Sequence, residues 1–483
     1  MRGELRAPSA DLLARFAVIV GEKGALTAAT DIQPYCQEPR DRYFGRTPLV
    51  LRPAGTAEVS AILKLAHEER VAIVPQGGNT GLVGGQVPFE KGGEIVLSLA
   101  RMQAIRSIDP AGNTLLAEAG ATLKSVQDAA ASVDRLFPLS LASEGTCQIG
   151  GNIATNAGGV HVLRYGNMRD LVLGIEAVFP GGEIWNGLKT LRKDNTGYDI
   201  RNLLVGSEGT LAVITAASLK LFPRPAEVAA AFAGCASLEA VAQFFTRAFE
   251  RAGPLLTAFE LIPRIAVEFL REHLPRIRDP LAASHPWYVL FEISSPLPDG
   301  FAGQLVLALL EEALDKGTVT DAAVAASEAQ ARSFWCLRES IPEVQKHEGG
   351  SIKHDVSVPV SAIPAFIAEA GEAVARLIPG ARPVPFGHYG DGNIHYNITQ
   401  PKGADKAAFL ARWDEVSDAV QAIVLGFGGS ISAEHGIGRM KAQALQSVKA
   451  PVELALMRRI KEAFDPRGIL NPGKLLRDFA PVE

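Results

Sequence analysis

The amino-acid sequence predicts an α+β protein of two principal domains, on three observations. At 483 residues the chain is longer than one ordinary domain of about 100 to 200 residues. Up to Pro223 the text alternates strand-like, helix-like and glycine-rich stretches. Beyond Pro223 and Pro225, in the run FPRPAE, glycine loops thin out and alanine-rich helical text surrounds apolar strand candidates. With 47% hydrophobic and 21% charged residues, the composition suits a globular chain with a large core, and disorder is not indicated.

An N-terminal segment is assigned to residues 1–45. Its apolar patch, Phe16 to Val20, is too short and too closely flanked by charge for a signal peptide. The first domain, 46–225, opens with LVLRP as a strand, TAEVSAILKLAHEER as a helix, and VAIVPQGGNTGLVGG as a strand running into a glycine loop. Val59, Ile62, Leu63 and Ala66 follow the i, i+3, i+4, i+7 rule of one apolar helix face, and Thr56 is placed as the N-cap. Further strands are expected at Glu94 to Leu99, at Asp170 to Phe179, at Glu183 to Trp185 after the turn Pro180-Gly181-Gly182, and at Leu211 to Ile214. The second domain, 226–440, has helical periods over Leu238 to Arg251 and Phe301 to Asp315 with a strand at Trp287 to Ile293 between them. That order points to an antiparallel sheet with helices. A helical C-terminal segment, 441–483, runs up to KEAFDPRGILNPGK, where Pro466, Gly468 and Pro472 stop the pattern.

Charge and cysteine usage exclude several function classes. A net charge of -5, with no run rich in lysine and arginine, leaves no footprint for a polyanion, so nucleic-acid binding is not expected. No stretch approaches about 18 uninterrupted apolar residues, so no transmembrane segment is expected and the chain is placed in the cytoplasm. Cys36, Cys147, Cys235 and Cys336 are scattered without CxxC spacing, which reads as free thiols in a reducing compartment. Any metal must then rely on histidine, carboxylate and substrate oxygen.

Two glycine clusters stand out in the first half: PQGGNTGLVGG at 75–85 and GTCQIGGNIATNAGG at 145–159. Successive glycine amides form concave nests of N–H donors that suit phosphate, so a diphosphate cofactor would fit. Neither cluster has GxGxxG or GxxxxGK[ST] spacing, which disfavours a Rossmann dinucleotide fold and a P-loop NTPase. One such cluster alone reads as turns. Two in one domain, both seeded with polar residues, favour the cofactor.

In the second half, PFGHYGDGNIHYNI at 385–398 places His388 and His395 seven residues apart. Gly387, Gly390 and Gly392 would each cost about 1 kcal/mol in a helix interior. Strand, glycine turn and strand fit better, because Asn393, His395, Asn397 and Thr399 alternate with Ile394, Tyr396 and Ile398. Two readings stand for this stretch: a metal or catalytic site, or core histidines beside a turn. Around it lie Arg338 in WCLRESIPEV, Lys353 in SIKHDVSVPVS, and Glu434-His435 in SAEHGIGRMK. Together these residues supply two cations for a carboxylate, two imidazoles and a carboxylate for a metal, and one further histidine as a base. The plain alternative leaves Arg338 and Lys353 solvated and pairs Glu434 with Arg439. Adjacent side chains on a strand diverge, so Glu434 and His435 serve one site only on a bent segment, which Gly436 and Gly438 permit.

Four runs closely resemble the flavoproteins of the vanillyl-alcohol oxidase and p-cresol methylhydroxylase (PCMH) type: PQGGNTGLVGGQVP at 75–88, PLSLASEGTCQIGGNIATNAGG at 138–159, RYGNMRDLVLGIEAVFPGGE at 164–183, and KDNTGYDIRNLLVGSEGTLAVIT at 193–215. The resemblance implies a PCMH-type FAD-binding domain followed by a substrate domain, with the C-terminal segment returning to the FAD domain. It implies that Pro75, Gln76, Gly77, Gly78, Asn79, Thr80 and Gly81 cradle the FAD diphosphate. Gly145, Thr146, Gly150, Asn152, Thr155 and Gly159 would line the isoalloxazine and ribityl chain, and Glu208, Gly209 and Ile214 would face the adenosine. His161 stands where relatives often carry Arg or Asn, but the usual covalent attachment position is not evident, so FAD is expected to be bound non-covalently.

The second-half motifs resemble the FAD-dependent D-2-hydroxyacid dehydrogenases, the branch acting on D-lactate and D-2-hydroxyglutarate. By that resemblance His388, His395 and Glu434 hold a divalent metal, typically zinc; His435 is the base; Asn397 lies in the substrate pocket; and Arg338 and Lys353 meet carboxylate. One position departs: Pro342 stands four residues after Arg338, where 2-hydroxyglutarate enzymes carry a hydroxyl residue, and proline offers neither hydroxyl nor N–H. D-2-hydroxyglutarate is therefore expected first, with D-lactate and D-malate close behind. A metal-independent flavin oxidase and a metallohydrolase are the rivals; the first leaves the histidines without a purpose, the second the glycine clusters. The electron acceptor, an electron-transferring flavoprotein, a quinone or a cytochrome, has no motif here, and a homodimer is the default expectation.

Overall fold

A computed structural model describes residues 4–477, so the outermost parts of the expected terminal segments lie outside the described residues. The chain divides into two compact units, one of 1–158, 167–223 and 434–483, the other of 159–166 and 224–433. The expected boundary at 440 falls at 433, so Glu434 and His435 belong to the first unit. The expected N-terminal segment is part of that unit rather than separate from it.

The first unit is built on two sheets. In the smaller one Val50–Leu51, Ile95–Ser98 and Ile73–Gln76 run parallel, and Ala25–Leu26 pairs antiparallel at its edge. The larger is antiparallel, in the order Ile105–Asp109, Thr114–Glu118, Val213–Lys220, Val172–Val178, Ile184–Gly187. Val172–Val178 is buried along its whole length, which accounts for its unbroken apolar text. The expected strand from Asp170 starts two residues late because Asn167 and Asp170 form a capping box that begins a short helix, Met168–Leu171. The strand expected at Leu211 to Ile214 is instead Val213–Lys220.

Helix Thr56–Glu69 buries Val59, Ile62, Leu63 and Ala66, the face its periodicity marks. Its N-cap is Gly55, not Thr56. The Thr56 hydroxyl instead donates to Glu176 at 2.7 Å, an acceptor 120 residues away that local text cannot reveal. After helix Pro451–Phe464 the chain runs back along the parallel sheet. Ile73 donates its amide to Ile469 at 2.8 Å, and buried Lys461 donates to the carbonyls of Thr210 and Leu470 and to Asp465.

The second unit is one large antiparallel sheet, in the order Asp321–Val324, Glu227–Cys235, Trp287–Ser295, Leu256–Pro263, Arg382–His388, Asn393–Thr399, Ser351–Ile352, with Asp355–Ser357 also paired to Asn393–Thr399. Its two faces have separate cores. Ile394, Tyr396 and Ile398 join Phe259 and Leu261 in one, packed with helices Leu238–Ala252, Phe301–Asp315 and Ile363–Leu377. Val384, Phe386, Ile262 and Leu290 form the other. The same period of two that sends those apolar side chains inward collects Glu260, His388, His395 and Asn397 on the second face.

Candidate functional site

In the first unit an open cleft is lined by the loop Pro75–Gly81, by Gly150, Asn152 and Thr155 of the second glycine cluster, and by Glu208, Gly209 and Ile214. The loop takes its shape from the end of strand Ile73–Gln76. There the Gln76 amide nitrogen donates to the carbonyls of Tyr35 and Gln86, and that of Asn79 to those of Pro34 and Gln37. Gly78 is required by a close approach: a Cβ there would lie 1.9 Å from the Thr146 carbonyl oxygen. Thr146 therefore supports the loop from behind, and neither it nor Gly145 lines the cleft. Gly159 belongs to the second unit.

Sequence reasoning missed Gln148, Gly151 and Asn471 as lining residues; His435, expected as the base, also lines the cleft. Asn471 reaches the cleft because its amide nitrogen donates to the carbonyls of Gly85 and Glu208 at 2.9 Å each. The only sequence signal for it is the stop at NPGK. His435 is held by the bend that follows it: Gly436 and Gly438 have φ of 83° and 51°, and the amides of Ile437 and Gly438 donate to the Glu208 carboxylate at 2.7 Å. Burial pushes the Glu208 carboxyl up, against the pull of those two amides. Asn79, Glu208 and Asn471 all have positive φ, strain that the surrounding contacts hold in place.

The cleft fits a flavin dinucleotide. Three buried side-chain oxygens on its wall, of Asn79, Gln148 and Asn471, lack a hydrogen-bond partner among the described residues. Such acceptors suit the N–H and hydroxyl donors of a flavin ring, ribityl chain and ribose. The glycine amides suit a diphosphate. His161, the residue weighed as a covalent anchor, lies in the second unit with Nε2 3.6 Å from Glu292. Thr257 and Trp335 also donate to Glu292.

In the second unit the histidines of PFGHYGDGNIHYNI sit on paired strands joined by the turn Tyr389–Asp391, their ring centroids 5.4 Å apart. Each has a carboxylate directly opposite in register. Glu260 pairs with His388, and its Oε1 lies 2.7 Å from Nδ1; Asp355 pairs with His395, with Oδ1 3.7 Å from Nδ1. Glu260 is wholly buried, and its other oxygen accepts from Arg338 Nε at 2.7 Å. Burial alone would raise this carboxyl, but the charges of His388 and Arg338 outweigh it and pull it down to about 2. Arg338 is itself buried, its guanidinium 4.9 Å from the Phe386 ring, so the solvated reading does not hold for it. Asn397 donates to buried Gln345 at 2.7 Å, and Asn393 to Asp355 at 3.0 Å. Lys353 lies half-buried in the link between Ser351–Ile352 and Asp355–Ser357, and Pro342 is exposed in helix Ile341–Val344.

Imidazoles whose Nδ1 faces a carboxylate present Nε2 on the opposite edge as a ligand atom, the usual support for a metal-binding histidine. The donor chemistry of His388 and His395 therefore fits a borderline divalent cation such as zinc. Ala433, the last residue of this unit, donates its amide to the Asp355 carbonyl at 3.3 Å. Glu260 and Gln345 were missed at the sequence level. Glu260 did leave a signal, as a single carboxylate inside the apolar run LLTAFELIP, where a buried charge demands partners.

Residues 47–187 match the family described as "FAD binding domain", and 224–475 match "FAD linked oxidases, C-terminal domain". The chain is 39% identical over 471 residues to the mitochondrial D-2-hydroxyglutarate dehydrogenase of Bos taurus, covering 97% of this chain and 84% of that enzyme. It is 39% identical over 449 residues to the D-2-hydroxyglutarate dehydrogenase of Xanthomonas citri pv. viticola, covering 93% of each. Among solved structures, substrate-bound p-cresol methylhydroxylase superposes with a TM-score of 0.73 at 14% identity over 98% of both chains, a likeness of fold. No helix among the described residues is long and apolar enough to cross a membrane.

Proposed function

The chain belongs to the FAD-linked family that contains the D-2-hydroxyglutarate dehydrogenases, and from that premise we propose that it oxidises D-2-hydroxyglutarate ahead of D-lactate and D-malate, assisted by a divalent cation. It is an FAD-dependent oxidoreductase with the PCMH-type fold. The observation that carries the finer reading is the position of His435. It lines the FAD cleft of the first unit and is joined through Glu434 to Ala433, which is anchored on Asp355.

Bound in their sites, FAD supplies a two-electron acceptor for the hydride leaving C2, and a divalent cation supplies a Lewis acid that makes the 2-hydroxyl easier to deprotonate. His388, His395 and Glu434 are the proposed ligands of that cation, zinc first. His435 takes the hydroxyl proton. Arg338 contributes its remaining N–H groups to a substrate carboxylate while its Nε stays committed to Glu260. Lys353 adds a second cation for the distal carboxylate, and Asn397, fixed by Gln345, orients the acid. His161 faces Glu292, in keeping with FAD held without a covalent bond. An electron-transferring flavoprotein, a quinone or a cytochrome is the proposed acceptor.

The test is anaerobic bleaching of the bound flavin by D-2-hydroxyglutarate, D-lactate, D-malate and their L-forms. Fastest bleaching by D-2-hydroxyglutarate, with the L-forms inert, is the expected result. Equal or faster bleaching by D-lactate would overturn the substrate order, and bleaching by none would overturn the substrate class.

A further inference from the structure

Glu260 has both carboxylate oxygens committed to buried partners, and the chemistry above gives it no contact with substrate or flavin. It is wholly buried in strand Leu256–Pro263, on the face that carries Ile262 and Phe386. Burying a carboxylate without partners would be prohibitive, so its two oxygens define what it is for. One lies 2.7 Å from His388 Nδ1 and the other 2.7 Å from Arg338 Nε. These two partners are the imidazole proposed to ligate the cation and the guanidinium proposed to meet the substrate carboxylate. They come from different elements, the end of strand Arg382–His388 and the last turn of helix Glu328–Glu339.

We infer that Glu260 is a positioning residue that couples cation binding to carboxylate recognition, by fixing the ring of His388 and the guanidinium of Arg338 through one rigid, buried carboxylate. This rests on the proposed roles of His388 and Arg338. As acceptor for Nδ1–H, Glu260 fixes the tautomer in which Nε2 carries the lone pair, and it raises the basicity of that nitrogen. As acceptor for Arg338 Nε–H, it fixes the plane of the guanidinium, so the end-on fork of its two terminal NH2 groups, which can grip a carboxylate, has one orientation. The register makes the arrangement stiff: Glu260 and His388 are directly opposed across the strand pair, and Arg338 is clamped on its other side by the Phe386 ring at 4.9 Å. A shift of the cation ligand is therefore felt at the carboxylate clamp, and the reverse.

The test compares the full-length holoenzyme with Glu260→Gln, which keeps the size but offers one acceptor where two are used. Zinc affinity is read by chelator competition, FAD stoichiometry by absorbance, and KM and kcat with D-2-hydroxyglutarate by steady state. The expected result is a zinc dissociation constant raised about 10- to 100-fold, the range for loss of such a support. KM should rise along with it, while FAD stoichiometry, set in the first unit, is unchanged. Zinc affinity and KM equal to those of the parent would overturn the inference and leave the proposed function standing. A parent enzyme that binds no zinc would overturn both. If Glu260→Gln does not fold, the double variant Glu260→Gln with Arg338→Met removes the buried cation as well and is compared with Arg338→Met alone. Weaker zinc binding in the double variant is expected. Equal zinc affinity in the two would make Glu260 merely the counter-ion of Arg338 and overturn the coupling.

Discussion

The cleft of the first unit and the polar face of the second are built in opposite ways. The cleft is made mainly of backbone: glycine amides, close approaches at Gly78 and Gly150, and three strained residues at Asn79, Glu208 and Asn471. The polar face is made of side chains whose partners are remote in sequence, at separations of 128 for His388 with Glu260, 78 for Arg338 with Glu260, and 52 for Asn397 with Gln345. A site of the first kind is written where it stands. A site of the second kind is written half in one place and half in another, and only strand register brings the halves together.

The difference predicts which substitutions harm chemistry, which harm stability and which harm cofactor retention. The largest effect is expected at His435. Replacing it by Ala should slow anaerobic flavin reduction by about 10² to 10⁴, the usual contribution of a positioned base, with FAD still bound. Stopped-flow reduction at the parental rate would remove it from that role. Next comes Arg338→Met, which leaves the buried Glu260 carboxylate with His388 alone. A loss of about 3–5 kcal/mol in urea unfolding is expected, and a loss below 1 kcal/mol would mean that the pair contributes little net stability.

A smaller but differently placed effect is expected from Gly78→Ala, whose Cβ meets the Thr146 carbonyl oxygen at 1.9 Å. The strain of overpacking, about 1–3 kcal/mol, falls on the diphosphate loop, so the purified protein should carry less FAD while its zinc affinity is retained. Full flavin occupancy in that variant would show that the loop can yield. The smallest is Thr56→Ala, which removes a hydroxyl donor to Glu176 and should cost about 1 kcal/mol in thermal unfolding with no kinetic change. A cost near zero would place the burden on the other partners of Glu176, Arg106 and Thr215.

The same contrast explains what could be read from the chain. Helix Thr56–Glu69, strand Trp287–Ser295 and the strand pair around Tyr389–Asp391 were legible because their periodicity is local and apolar. The two glycine clusters were legible because a nest of amides is itself a short run of sequence. Gly145 and Thr146 share that text without lining the cleft. Glu260, Gln345 and Asp355 went unread because a buried carboxylate or amide acquires its meaning from the strand or helix opposite, and no local pattern names that element. Asn471 and His435 arrive at the cleft by the return of the C-terminal chain, which the family resemblance implies and which no local pattern marks at Asn471.

The most direct test removes the cation and keeps the flavin. Holoenzyme treated with EDTA and desalted should retain its flavin absorbance, lose anaerobic bleaching by D-2-hydroxyglutarate, and regain it when zinc is restored. Bleaching at an undiminished rate after the cation has been stripped would contradict a metal-assisted oxidation and return His388 and His395 to packing or acid-base roles.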